Sequence, residues 1–73
     1  MDKLMGILRA LNPDIDFEAE AALIDGGLLD SFDIVTLVAE IDDAFGVEIP
    51  AQELIPENLN SAGAIWALIR RLT

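Results

Sequence analysis

The sequence predicts an all-α protein, a four-helix bundle with a long first loop and a short third helix. Three observations carry that expectation. Apolar residues recur at helical spacing in three separated segments. Asn12-Pro13, Gly46 and Pro56 stand where helices should stop. The extended-looking stretch Val47-Glu48-Ile49-Pro50 is too short to pair as a strand.

The first helix rests on Leu4, Ile7, Leu8 and Leu11, spaced i, i+3, i+4, i+7, and Asn12 and Pro13 end it. From Asn12 to Leu29 no period is sustained. Ile15, Phe17, Leu23, Ile24 and Leu28 read as anchors pinning this segment to a core, with a short helical turn near Phe17 to Ala21 and Asp25-Gly26-Gly27 towards its end. A loop of that length in a small domain is a place to look for function. Asp30 then offers a carboxylate to cap a helix running to Phe45. Asp33 suits its first turn, where the dipole is positive, and Gly46 stops it. Pro50 suits the first position of a short helix through Ile55, which Pro56 ends. Asn60 is the expected cap of the last helix, with Ile65, Leu68, Ile69 and Leu72 as its buried stripe and Arg70 and Arg71 in its final turn. Trp66, beside Ile65, reads as a half-buried core residue.

Composition narrows the function. The chain has 73 residues, with 14 Asp and Glu against 4 Lys and Arg, a formal net charge of -10, and neither His nor Cys. Such a charge repels phosphate backbones and anionic headgroups, so nucleic acid and membrane surfaces are poor partners. Without His or Cys there is no Ser-His or Cys-His pair and no imidazole or thiolate metal site. No catalytic residue and no metal site are expected, and the protein reads as a non-enzyme. The missing Cys also leaves no disulfide framework. Lys3 and Arg9 interrupt the run Met1 to Leu11, which resembles neither a signal peptide nor a membrane span. The expectation is a cytoplasmic, monomeric, acidic domain spanning residues 1–73. A chain this short buries only about 60% of its unfolded surface, so a site of any size has to lie on the outside.

The segment from Asp30 to Phe45 carries two stripes. Ile34, Leu37, Val38, Ile41 and Phe45 cluster on one side and account for core. Phe32, Val35, Thr36, Ala39, Asp42 and Asp43 recur at i, i+3, i+4, i+7, i+10, i+11 and form a second stripe, leaving Asp33 and Glu40 on the remaining polar side. In one reading Phe32 and Val35 close the helix against the long loop and the acids are a solvated face. In the other the stripe is a docking surface, apolar enough to bind and charged enough to stay soluble. Charge distribution favours docking: no Lys or Arg lies between Arg9 and Arg70, whereas every acid except Asp2 does. The matching partner presents a basic groove with an apolar floor.

Ser31 opens this helix. A hydroxyl there lies near free backbone N–H groups and the positive dipole end, which together would stabilise an esterified phosphate. Serine is equally a common capping residue at helix starts.

The string Gly27-Leu28-Leu29-Asp30-Ser31-Phe32-Asp33-Ile34-Val35, followed one helix later by Ala44-Phe45-Gly46-Val47-Glu48-Ile49-Pro50, resembles the acyl carrier protein superfamily. The resemblance covers the whole chain, with helices and long loop in that family's order. It implies a helical bundle of acyl-carrier type in which Ser31 receives 4'-phosphopantetheine, when a phosphopantetheinyl transferase directs its hydroxyl at the pyrophosphate of coenzyme A. The arm's thiol would hold an acyl or aminoacyl group as a thioester, loaded by an adenylating acyl or aminoacyl ligase and removed by a downstream acyltransferase. Asp30 would help orient the transferase and its metal, and Phe32, Val35, Thr36, Ala39, Asp42 and Asp43 would form the recognition helix. Fatty-acid carriers usually have Gly at the position of Leu28, an acid at that of Thr36 and often Met at that of Ala39. The Gly-Leu-Leu-Asp-Ser-Phe form is more similar to D-alanyl carrier proteins and related stand-alone carriers of small amino acids. A type II fatty-acid or polyketide carrier is the alternative within the family.

Two other classes compete. Asn12, Asp14, Asp16 and Glu18 alternate as calcium ligands do, but neither Phe17 nor Ala19 supplies the loop glycine and no Glu closes the twelfth position. An unmodified helical interaction or structural module is the other, against which the intact Asp30-Ser31 pair argues.

Overall fold

A computed structural model describes residues 1–73. It contains α1 (Asp2–Leu11), α2 (Ser31–Phe45), α3 (Pro56–Leu59) and α4 (Ala62–Leu72), with a 3-10 turn at Ala51–Glu53 before α3 and no strand. The four-helix bundle with a long first connection and a short third helix is therefore the observed architecture. None of the helices is long and apolar enough to cross a membrane.

Helix α1 buries Leu4, Met5 and Leu8 and stops at Asn12, whose backbone turns extended while its N–H still reaches Leu8 O at 3.0 Å. In the long connection, Asn12 Oδ1 accepts the Asp14 N–H at 3.1 Å and Asp16 Oδ1 accepts the Glu18 N–H at 3.3 Å. These oxygens are spent on local turns, as short polar side chains favour in irregular backbone. Around Phe17 a single turn forms, with the Ala19 and Glu20 N–H groups both reaching Asp16 O, and Phe17 itself is buried.

One anchor is corrected. Leu28 is 38% exposed, and Leu29, at 4%, is the residue that enters the core. The backbone N–H groups of both donate to Leu23 O at 3.0 Å, after a turn in which Gly27 has φ 72. The tight turn aims these successive side chains in different directions.

Asp30 caps α2 as expected, and Gly46 ends it in the left-handed conformation at φ 66, which glycine adopts without steric cost. Leu37 and Ile41 are fully buried, while Ile34, Val38 and Phe45 pack against the core from its edge. Beyond Gly46 the chain runs extended without pairing, burying Val47 and Ile49.

Two expectations beyond this point are corrected. Pro56 opens α3 rather than ending a helix. Ahead of a proline the extended region is favoured, so Ile55 sits at φ -115, ψ 154, and the missing N–H of Pro56 goes unfelt at a first helical position. Pro50 precedes only the brief 3-10 turn, which Leu54 leaves at φ -84, ψ 62. Ser61, not Asn60, caps α4: its backbone is extended and its Oγ accepts the Ala64 N–H at 3.0 Å. Asn60 keeps helical angles at the end of α3, and its side chain turns away to the long connection.

Helix α1 packs on α2 and α4, and α3 packs on α4. The core holds 15 buried residues, all apolar. The rings of Phe45 and Trp66 meet edge-to-face, their centroids 5.9 Å apart, tying α2 to α4 with Trp66 half-buried.

Candidate functional site

Ser31 is the first residue of α2, one position inside the cap. The capping is done by its neighbours: Asp30 Oδ1 accepts the Asp33 N–H at 2.9 Å, and Asp33 Oδ2 accepts the Asp30 N–H at 3.3 Å. The Ser31 hydroxyl takes part in none of the molecule's hydrogen bonds, and the residue is exposed. Serine at a helix start is usually explained by capping. That explanation does not apply to Ser31.

The backbone N–H groups of Ser31 and Phe32 precede the first acceptor within the helix and meet no other, since bonding along α2 begins with Asp33 to the Asp30 side chain and Ile34 to Asp30 O. An exposed, unbonded hydroxyl thus stands beside two free donors at the positive end of a 15-residue helix. A phosphodiester esterified there would keep its charge stabilised by the dipole and would displace no existing contact. The residues present fit a phosphate-linked arm on Ser31.

Along α2 the second stripe is open. Phe32 is 77% exposed and Val35 68%, so neither closes the helix against the loop. Ala39, Asp42 and Asp43 are exposed as well. Thr36 is partly covered, and its hydroxyl donates to Phe32 O at 3.0 Å, which uses its proton and leaves it only as an acceptor for a partner. From Ser31 to Asp43 the stripe runs about 18 Å at ~1.5 Å per residue.

The two ion pairs of the molecule, Arg9 with Glu18 at 3.1 Å and Arg71 with Glu53 at 3.3 Å, both lie off α2. Every carboxylate on α2 is free of an internal cation. Leu28 and Ile55 are two further exposed apolar residues, at 38% and 41%, that sequence reasoning did not assign to the surface. Nothing in the local pattern distinguishes Leu28 from Leu29. A cleft of about 590 Å³ lies between α1, residues 17–21 and the start of α4 and includes no residue of the stripe. A smaller one of about 240 Å³ lies between α1 and α2 and touches the stripe at Thr36.

A family model described as a phosphopantetheine attachment site matches residues 3–69. A D-alanyl carrier protein of Lactococcus lactis subsp. cremoris (strain MG1363) is 26% identical over 74 residues, covering 99% of this chain and 94% of the relative. A D-alanyl carrier protein of Streptococcus equi subsp. zooepidemicus (strain MGCS10565) is 33% identical over 64 residues, covering 88% of this chain and 81% of the relative. No solved structure matches the chain. The relatives are of the kind that the Gly27-Leu28-Leu29-Asp30-Ser31-Phe32 string resembles.

Proposed function

The chain belongs to the phosphopantetheine attachment family, and on that premise we propose that Ser31 is the attachment residue and that the cargo is D-alanyl or another small aminoacyl group. The protein is a carrier and not an enzyme, and its family carries 4'-phosphopantetheine covalently, put in place by a transferase. The group supplies a terminal thiol on a flexible arm, which holds the cargo as a thioester. Everything else asked of this chain is presentation.

The observation that carries the reading is the idle hydroxyl of Ser31, first in α2, relieved of capping by the Asp30 and Asp33 carboxylates. Nothing has to be broken before it can act as a nucleophile towards a phosphoryl donor. Asp30 commits one carboxylate oxygen to the cap and keeps the other free, which suits a contact to the transferase and its metal. Phe32, Val35 and Ala39 supply the apolar part of the docking face, Thr36 its partly covered middle, and Asp42 and Asp43 its charge.

The D-alanyl assignment draws on the similarity to D-alanyl carrier proteins and on the Gly-Leu-Leu-Asp-Ser-Phe string. An adenylating ligase would load the carrier and an acyltransferase would unload it. A cytoplasmic setting, where coenzyme A is available to the transferase, is part of this proposal. One core, and a family match over nearly the whole chain, support a single carrier domain over residues 1–73.

The test is intact-mass spectrometry after incubation with coenzyme A and a broad-specificity phosphopantetheinyl transferase, followed by peptide mapping. One phosphopantetheine should be added at Ser31, and Ser31→Ala should receive none while keeping the helical circular dichroism of the parent. Modification elsewhere, or none with several transferases, overturns the assignment and leaves the unmodified interaction module. A panel of amino and fatty acids with the ligase then decides the cargo.

A further inference from the structure

Asn60 ties the segment leading into Ser31 to the other half of the molecule. Its Oδ1 accepts the N–H groups of Ile24 at 3.0 Å and Asp25 at 3.1 Å, and its Nδ2 donates to Asp25 Oδ2 at 3.0 Å. Its backbone carbonyl accepts the Leu23 N–H at 2.9 Å. Every hydrogen bond joining residues 13–30 to the α3 and α4 half of the chain ends on this one residue.

From there the order passes on locally. Leu23 O accepts the N–H groups of Leu28 and Leu29, Leu29 is buried, and Asp30 follows as the cap of α2. The connection has no regular structure of its own, so the clamp at residues 23–25 constrains where residues 28–30 lie, together with the burial of Leu29 and the cap at Asp30.

We propose that Asn60 is a positioning residue for Ser31, holding the connection in the one arrangement that a transferase can engage. This rests on Ser31 being the attachment residue. A connection released from Asn60 would spend part of its time in other arrangements, and apparent affinity falls with the competent fraction. The signature is therefore a rise in KM for the carrier with kcat nearly unchanged.

Two variants break the clamp differently. Asn60→Asp keeps the acceptor but sets a second carboxylate against Asp25, and Asn60→Ala removes all three side-chain bonds without adding charge. The double variant Asp25→Asn with Asn60→Asp exchanges donor and acceptor, keeping the net charge and the three bonds. Initial rates of transfer from coenzyme A are measured at a temperature where circular dichroism shows every variant folded. Amide hydrogen exchange is followed at Leu28 and Leu29.

Both single variants should raise KM by about fivefold or more, with kcat within about twofold and faster exchange at Leu28 and Leu29, and the double variant should restore all three readouts. A KM unchanged in Asn60→Ala, or a double variant no better than Asn60→Asp, overturns the positioning role while wild-type modification at Ser31 stands. A wild-type chain left unmodified at Ser31 overturns the attachment assignment, and the positioning role with it.

Discussion

Asp30 and Asp33 hold each other's backbone across the start of α2, at 2.9 and 3.3 Å, and neither contacts the hydroxyl of Ser31 that lies between them. The pair leaves the Ser31 and Phe32 N–H groups unpaired at the helix start.

Asp30 caps the helix, and in the proposed function it also contacts the transferase; the two roles are separable. Asp30→Ala should cost about 1 kcal/mol in urea unfolding, the usual worth of a cap. Asp30→Ser should recover most of that stability, because a hydroxyl also caps, yet remain slow in phosphopantetheine transfer. If Asp30→Ser is modified at the wild-type rate, Asp30 serves the helix alone.

Phe32 and Val35 are large apolar side chains spending most of their area on water. Truncating each to Ala should change unfolding free energy by less than about 0.5 kcal/mol, as at other exposed positions. Loading by the partner ligase should fall about tenfold in kcat/KM, the scale of an interface anchor. A Phe32→Ala variant that unfolds easily but loads normally would assign the ring to the fold instead.

The helices α1, α2 and α4 were legible because each repeats its apolar residues at the helical period over at least two turns. The exposed second stripe was legible for the same reason, as residues left over once the core face was assigned. What escaped was decided by contacts distant in sequence or by residues with two meanings. Pro56 can end a helix or begin one, and only the extended Ile55 before it settles which. Leu28 and Leu29 differ by a turn set through Leu23 O. Asn60 looked like a cap because it precedes α4, but its partners lie 35 and 36 residues earlier, beyond the reach of any local pattern.

Lys3 serves the far end of α2. Its Nζ donates to Ala44 O at 2.7 Å and stands 5.4 Å from the centre of the Phe45 ring, putting a cation from α1 where α2 has no basic residue in its own last turn. Lys3→Met keeps the apolar stem and removes the charge. It should lower stability by about 0.5–1 kcal/mol, and the loss should shrink in high salt, where dipole and charge are screened. A loss independent of salt would point to packing of the stem.

The same last turn carries Asp42 and Asp43. Carboxylates there face the negative end of the helix dipole and cost stability, roughly 0.3–1 kcal/mol each, whereas a basic residue would add it. Neither acid is paired inside the molecule, and under the proposed docking role their placement serves a partner. Asp43→Lys should therefore raise the thermal midpoint and at the same time slow ligase loading, and the salt dependence of loading should become shallower. A variant that gains stability and loads as fast as the parent, with an unchanged salt slope, would reduce these acids to a solvated surface.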